Sequence, residues 1–69
     1  MSVARVVEIS STSEKSFEDA VAQGISRASK TVREIRSAWV KEQEVQVKNN
    51  KISLYKVVLK VTFVLEDTM

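Results

Sequence analysis

The sequence predicts an α+β domain in which a three-stranded antiparallel sheet packs on one helix, in the order β-α-β-β. Residues 3–10 are short and rich in β-branched side chains, which is typical of a strand. Apolar side chains then recur every three or four residues, the period of one helical face. From residue 37 onward the apolar period falls to two, which indicates two further strands. All of residues 1–69 are expected to form this single domain.

The helix is expected to begin within residues 13–16. Ser16 and Asp19 have the spacing of a capping box, in which a hydroxyl and a carboxyl satisfy the first backbone N–H groups. Ser11 and Glu14 have the same spacing and offer a second possible start.

The apolar stripe of the helix predicts that it continues to about residue 36. Arg33 and Arg36 suit the negative end of the helix dipole. Gly24 lies inside the helix, where it costs about 1 kcal/mol relative to Ala or marks a close packing contact. The stripe consists of Phe17, Val21, Ile25, Ala28, Val32 and Ile35.

Residues 37–48 and 52–66 are predicted to form a hairpin of two strands in the spatial order first, third, second. Asn49 and Asn50 suit its two-residue turn because Asn tolerates positive φ. The odd positions of the last strand are apolar and are expected to face the helix: Tyr55, Val57, Leu59, Val61, Phe63 and Leu65.

With this turn, Ala38 would pair with Val61 and Val40 with Leu59 on the helix side, so the register is self-consistent. The other expected pairs are Ser37–Thr62, Trp39–Lys60, Lys41–Val58, Gln43–Lys56, Val45–Leu54 and Val47–Ile52. These pairs leave an apolar patch bare on the face away from the helix, and such a patch marks an interface or a ligand groove. The patch consists of Trp39, Val45, Val47, Ile52, Leu54 and Val58. We therefore expect a homo-oligomer with closed symmetry. A slipped register that hides these side chains is the alternative.

The composition of the chain also favours a homo-oligomer. The chain has 69 residues with no Cys and no His. A domain of this size buries only about 60% of its unfolded surface and usually needs disulfides, a metal or oligomerisation. Without Cys and His, disulfides and the usual ligands of zinc, haem and iron–sulfur clusters are excluded. A Cys nucleophile and an imidazole base are excluded as well, so we do not expect an enzyme.

Charge and hydropathy bear on partners and location. Eleven basic and nine acidic side chains give a net charge of +2, without the basic stripe that is typical of nucleic-acid binding. A face that combines Trp39 with Lys41, Lys56 and Lys60 leaves single-stranded nucleic acid as an alternative. No apolar run reaches membrane-spanning length, and the first residues do not resemble a signal peptide. We therefore expect a cytoplasmic protein without membrane or nucleic-acid partners.

The order and spacing of several segments resemble the dodecin family over nearly the whole chain. The segments are the opening strand; Thr12, Ser13, Ser16 and Phe17 at the helix start; Arg27, Ala28, Thr31 and Val32 at its end; Glu42 and Gln43; and residues 55–63. The resemblance implies a β-α-β-β fold and assembly into a hollow homododecamer. It also implies a non-enzymatic shell that stores a small ligand, with a flavin, FMN or riboflavin, as the best single candidate.

The resemblance also points to residues of the site, although two positions depart from the family pattern. Flavin-binding dodecins stack a Trp of the second strand on the flavin and contact it with a Gln after the Tyr of the last strand. The matching positions here are Ser37 and Lys56, and the single Trp is Trp39. Positions 37 and 39 lie about 7 Å apart on the same side of a strand, so Trp39 can still stack on a planar ligand.

Lys56 and Lys60 can meet a ligand phosphate as point charges. An FMN-like or CoA-like anion therefore suits this face better than uncharged riboflavin. The expected ligand-binding residues are Ser37, Trp39, Glu42, Gln43, Lys56 and Lys60.

A flavin-free assembly that binds metal ions or other metabolites, or that is purely structural, is the alternative. The chain is similar to dodecin-like relatives without the stacking Trp at Arg36, Ala38, Val40, Glu42 and Gln43. Trp39 would then pack in a subunit interface, where tryptophan is enriched. Symmetry could gather carboxylates for a divalent cation, although ordinary surface charge also explains them. These carboxylates are Glu42, Glu44, Glu66 and Asp67.

Overall fold

The computed structural model describes residues 3–32 and 34–65. Its elements are β1 (Ala4–Ser13), α1 (Phe17–Ala28), β2 (Ile35–Lys48) and β3 (Lys51–Val64). The strands form one antiparallel sheet in the order β1-β3-β2. The predicted β-α-β-β fold is therefore confirmed. Within the described ranges, no helix has the length and hydropathy that crossing a membrane requires.

The helix begins at the start that Ser16 and Asp19 predict. Ser16 is the N-cap, and its Oγ accepts a hydrogen bond from the backbone N–H of Asp19 at 2.9 Å. The start at Ser11 and Glu14 is wrong, because β1 continues to Ser13 and holds Ser11 in the ladder opposite Val57.

The Asp19 carboxylate ties the end of β1 to the first turns of α1. Its Oδ2 accepts hydrogen bonds from the Ser13 hydroxyl at 2.6 Å and from the Gln23 amide at 2.7 Å. The Ser13 hydroxyl oxygen in turn accepts from the backbone N–H of Lys15 at 2.9 Å. These two hydrogen bonds lower the pKa of Asp19 below its ordinary value of 3.8, and the one from Ser13 has the larger effect. The positive charge of Lys15 also lowers this pKa.

We expect Asp19→Asn to reduce the loss of stability in acid. A carboxyl whose pKa is lower in the folded state stabilises the fold fully above its unfolded pKa. That contribution disappears as the pH falls through the lowered folded pKa, below 3.8. Acid titration followed by circular dichroism should show a shallower transition below pH 4 in the variant than in the unmodified chain. Identical acid limbs would contradict a role for this carboxylate.

The helix ends earlier than predicted. It stops at Ala28, and Ile35 begins β2 instead of the last helical turn. The backbone N–H groups of Thr31 and Val32 both donate to the carbonyl of Ala28 at 3.0 Å, which closes the C-terminal turn. Glu34 then has a φ of 54°, and this left-handed conformation redirects the chain into the sheet. Arg33, the predicted dipole partner, lies outside the described residues.

The hairpin turn is confirmed, and both of its residues have positive φ. Asn49 has a φ of 54° and Asn50 a φ of 62°, as a two-residue type I′ turn requires. Lys48 and Lys51 pair on either side of this turn. β3 ends at Val64, and the predicted last strand residue, at position 66, lies outside the described residues.

The register is correct near the middle of the sheet but wrong along half of β2. Ala38 pairs with Val61, and Val40 with Leu59, as predicted. The confirmed pairs also include Ser37–Thr62, Trp39–Lys60 and Val47–Ile52. Between the pairs Val40–Leu59 and Val47–Ile52, two bulges shift the register of the strands. One bulge lies between Val40 and Glu42, and the other lies between Gln46 and Val47.

The segment between these two bulges is shifted by one residue. The predicted pairs Lys41–Val58, Gln43–Lys56 and Val45–Leu54 are wrong, and the observed pairs are Glu42–Val58, Gln43–Val57, Glu44–Lys56, Val45–Tyr55 and Gln46–Leu54. Side chains alternate between the two faces, so a shift of one residue exchanges the faces of the whole segment.

The core lies between α1 and the middle of the sheet. Leu59, Val57, Val61 and Ala20 are fully buried, and each large aliphatic side chain buried in this way stabilises the fold by about 1.5–3 kcal/mol. The Phe17 ring meets Tyr55 edge to face, with their centroids 5.1 Å apart. The helix lies mainly over β1 and β3 and scarcely reaches β2, so the helix side of β2 stays open.

Candidate functional site

The predicted site lies on the outer face, which we define as the sheet face that points away from α1. The register arranges this face in rows that cross β1, β3 and β2. Three of these rows are Glu8–Lys60–Trp39, Ser10–Val58–Glu42 and Thr12–Lys56–Glu44. The only helix of the described chain lies on the opposite face, so these rows are open to a ligand or to a second copy.

Trp39 is the most prominent side chain of the outer face. It is 64% exposed, although it lies inside a strand of the sheet. The Lys60 ammonium lies 5.7 Å from the centroid of its ring, within the range of a cation–π contact. An exposed indole plane with an adjacent positive charge can stack on a flat ring and attract an anionic group on it.

The charges of the outer face alternate in sign. The Lys41 ammonium lies 3.4 Å from a carboxylate oxygen of Glu8, so a side chain at the β2 bulge reaches across the sheet to β1. Lys60 lies in register between Glu8 and Trp39, and Lys56 lies between Thr12 and Glu44. Exposed ion pairs of this kind contribute only about 0–1 kcal/mol. The face therefore attracts an anion through individual lysines and not through a broad positive field.

Five of the six predicted ligand-binding residues lie together on the outer face: Ser37, Trp39, Glu42, Lys56 and Lys60. Gln43 does not, and its predicted placement is wrong. The bulge before Glu42 turns Gln43 to the helix side, where it opposes the buried Val57. The same shift brings Glu44 to the outer face.

Glu8 was missed as a site residue, and Glu44 was predicted only as a carboxylate for a divalent cation and not for this face. The strict alternation of β1, with Val7 and Ile9 facing the helix, places Glu8 on the outer face and could have identified it. Glu44 depends on the bulge, which the expected register did not contain.

The predicted apolar patch is present in part. On the outer face, Val6 of β1 is 54% exposed and Trp39 is 64% exposed. Val45 lies on the helix side opposite Tyr55 and is half-buried. The alternation of β2 places Val47 on that side as well, where Val47 and its partner Ile52 are 61% and 53% exposed. Exposed apolar side chains of this number on so small a chain indicate a surface that another molecule covers.

A metal site is not formed by one chain within the described residues. In residues 3–32 and 34–65, no three His, Cys, Asp or Glu side chains lie close enough together to hold a metal ion. Glu42 and Glu44 point to the same face from positions two apart on β2. Glu66 and Asp67, the other predicted candidates, lie outside the described residues.

Comparison with known proteins gives one consistent family. The family model named Dodecin matches residues 3–66. The calcium dodecin of Mycobacterium tuberculosis is 40% identical over 63 residues, which cover 91% of this chain and 89% of that protein.

Solved structures agree with this match. A point variant of the dodecin from Thermus thermophilus superposes with a TM-score of 0.92 at 37% identity, covering 99% of this chain and 100% of that one. The M. tuberculosis calcium dodecin, described as a calcium-chelating antigen with a novel calcium-binding site, superposes with a TM-score of 0.80 at 37% identity, covering 97% and 96%.

Proposed function

The chain belongs to the dodecin family, and we propose that it is a non-enzymatic shell that holds FMN, or a similar planar anion, on its outer face. We propose further that it assembles as a hollow homododecamer and that it acts in the cytoplasm. The expectation that neither nucleic acid nor a membrane is a partner stays a prediction.

Assembly is supported by what a single chain leaves uncovered. In the described chain no helix lies over the outer face, which carries the exposed Val6 and Trp39, and Val47 and Ile52 are exposed near the hairpin turn. A closed symmetric assembly buries such surfaces without leaving a free copy of the interface. Native mass spectrometry should therefore give a species of about 94 kDa, twelve times the 7.8 kDa chain.

The observation that carries the ligand proposal is Trp39. Its indole is 64% exposed on an open face and lies beside the Lys60 ammonium. An indole plane stacks well on the extended ring system of a flavin. The ammonium next to it favours a ligand that brings its own negative charge, since Lys acts as a point charge toward phosphate. These features support FMN over riboflavin.

The test uses the fact that Trp39 is the only tryptophan of the chain, so its fluorescence reports on this site alone. Titration with FMN should quench both the tryptophan and the flavin emission and should saturate. Riboflavin, which lacks the phosphate, should bind more weakly in the same assay. An intact oligomer whose tryptophan emission does not respond to micromolar FMN would contradict the ligand proposal and leave the assembly in place.

Calcium is the second candidate, and one structural observation favours it. The β2 bulge places both Glu42 and Glu44 on the outer face, in a chain that is 40% identical to a protein named calcium dodecin. Calcium takes six to eight oxygen ligands. The described part of one chain gathers no three acidic side chains, so water, backbone carbonyls or carboxylates of a second copy would complete the site.

We expect the double substitution Glu42→Gln and Glu44→Gln to weaken calcium binding at least tenfold. The amides keep the shape of the side chains but remove the negative charges that a divalent cation requires. Calorimetric titration of chelator-treated protein would measure the loss. Glu18→Gln, an exposed position in the first turn of α1, is the matched control and should bind calcium normally. Equal affinity in all three proteins would exclude Glu42 and Glu44 as ligands.

A further inference from the structure

The first β2 bulge sets the direction of a lysine side chain close to Trp39. The register shifts between Val40 and Glu42, so Lys41 is the extra residue of the bulge and has no partner in β3. A bulge re-aims the side chain of its extra residue. The Lys41 side chain accordingly extends across the outer face, and its ammonium lies 3.4 Å from Oε2 of Glu8.

The Lys41–Glu8 ion pair spans the whole width of the sheet. Lys41 is in β2 and Glu8 is in β1, and β3 lies between these two strands. Neighbouring strands are about 4.8 Å apart, so the two side chains together bridge about 10 Å. They remain 39% and 48% exposed. An exposed pair between long, extended side chains contributes little to stability, because ordering the side chains costs entropy and water screens the charges. A stronger anion can therefore open it at little cost.

The ion pair lies next to the indole on which the proposed ligand stacks. Glu8 belongs to the row Glu8–Lys60–Trp39, and Lys41 follows Trp39 by two residues, about 7 Å along β2. The Lys60 ammonium is already in contact with the indole, 5.7 Å from the ring centroid. Lys56 is farther away, about 13 Å from Lys60 along β3. Lys41 is therefore well placed to meet a phosphate on a chain attached to a ring that stacks on Trp39.

We propose that Lys41 exchanges partners when the ligand binds, so that its ammonium leaves the Glu8 carboxylate and pairs with the phosphate of an FMN-like ligand. This inference rests on the proposed function of the outer face and names the two residues that set its preference for a phosphorylated ligand. Glu8 is the counter-ion that holds Lys41 across the sheet while no ligand is bound, and Lys41 is the cation that the phosphate recruits.

The charges of the two competing anions give the exchange its direction. A phosphate monoester carries about −1.5 to −2 charges at pH 7, whereas the Glu8 carboxylate carries a single charge. The lysine ammonium behaves as a point charge on a flexible stem, so it can turn from one anion to the other. An uncharged ligand such as riboflavin offers nothing that competes with Glu8 and leaves the Lys41–Glu8 pair closed.

Titrations with FMN and with riboflavin test the exchange, since the two ligands differ only in the phosphate. Lys41→Gln should weaken FMN binding about three- to tenfold, and Glu8→Gln should strengthen it about two- to fivefold. Both substitutions should leave riboflavin affinity within about twofold of the unmodified chain, because riboflavin lacks the charge that Lys41 meets. Lys48→Gln removes the same charge from an exposed position about 20 Å farther along β2 and is the matched control, with both affinities unchanged. Quenching of the Trp39 emission measures every affinity.

The double variant separates an exchange of partners from simple repulsion between Glu8 and the phosphate. Repulsion alone would make Glu8→Gln strengthen FMN binding equally with and without Lys41. If the partners exchange, the gain should be clearly smaller in the Lys41→Gln background, because no ammonium remains to be released. Equal gains in both backgrounds, an FMN affinity that Lys41→Gln leaves unchanged, or equal effects on riboflavin would overturn the exchange and leave FMN binding standing. If the unmodified chain does not bind FMN, both proposals fail.

Discussion

Trp39→Ala should weaken FMN binding about 10- to 100-fold while the protein stays folded and assembled. Stacking of an aromatic side chain on a nucleobase-sized ring is worth about 1–3 kcal/mol by alanine substitution, and 1.4 kcal/mol is a factor of ten. Trp39 is 64% exposed and lies away from the core, so its removal leaves no cavity beneath α1. Flavin fluorescence, which does not depend on the tryptophan, measures the affinity of the variant.

Trp39→Phe is the matched control, because it keeps an aromatic plane of smaller area. Its loss of affinity should be clearly smaller than that of Trp39→Ala. The assembled mass decides between the two roles of this residue. If Trp39→Ala dissociates the oligomer, the indole is an interface side chain and the stacking role is wrong. An unchanged FMN affinity in an intact oligomer would place the ligand elsewhere.

The face that carries Trp39 was predictable because the odd positions of β3 from Tyr55 to Phe63 are all apolar, which assigns them to the helix side and the even positions to the other face. The hairpin turn fixed the register next to it, since Asn49 and Asn50 both adopt the positive φ that a two-residue turn needs. The pairs Trp39–Lys60 and Val40–Leu59 follow from that turn, because the two irregularities between the turn and these pairs cancel.

The placement of Gln43 and Glu44 could not be derived in the same way. Residues 41–44 are all polar, so no apolar alternation marks their phase. A weak signal was present nonetheless. Apolar side chains occupy an even position at Val40 and odd positions at Val45 and Val47, and such a change of phase is what one extra residue in a strand produces. Site residues next to a bulge are therefore the least predictable from spacing alone.

The prediction of where the helix ends was wrong for a different physical reason. Val32 and Ile35 continue the helical spacing, but hydroxyl side chains before them compete for backbone carbonyls. Ser29 Oγ donates to the carbonyl of Ser26 at 2.7 Å, and Thr31 Oγ1 donates to that of Ala28 at 3.2 Å. Ile35 still packs against the core, from β2 instead of from α1. The apolar pattern thus identified residues of the core correctly and assigned one of them to the wrong element.

Gly24→Val should lower the free energy of unfolding by about 2 kcal/mol, within the range of about 1–3 kcal/mol for overpacking a core. A Cβ at this position would lie 3.1 Å from Cδ1 of Leu59 and 3.1 Å from Cβ of Ser11. Leu59 is fully buried, and Ser11 is fixed in β1 by its pairing with β3, so neither neighbour can move aside freely. The absence of a side chain at Gly24 therefore sets the distance between α1 and the sheet.

Helix propensity alone would make Gly24→Val more stable, so a decrease in the free energy of unfolding identifies overpacking as its cause. Val is a slightly better helix former than Gly, so propensity alone would stabilise the variant by a few tenths of a kcal/mol. Ala22→Val adds a similar bulk at an exposed position of the same helix and should cost no more than about 0.7 kcal/mol. Urea unfolding at one fixed protein concentration, followed by circular dichroism, compares the two variants. If Gly24→Val is as stable as Ala22→Val, the helix is not held against β1 and β3 by close contact at Gly24.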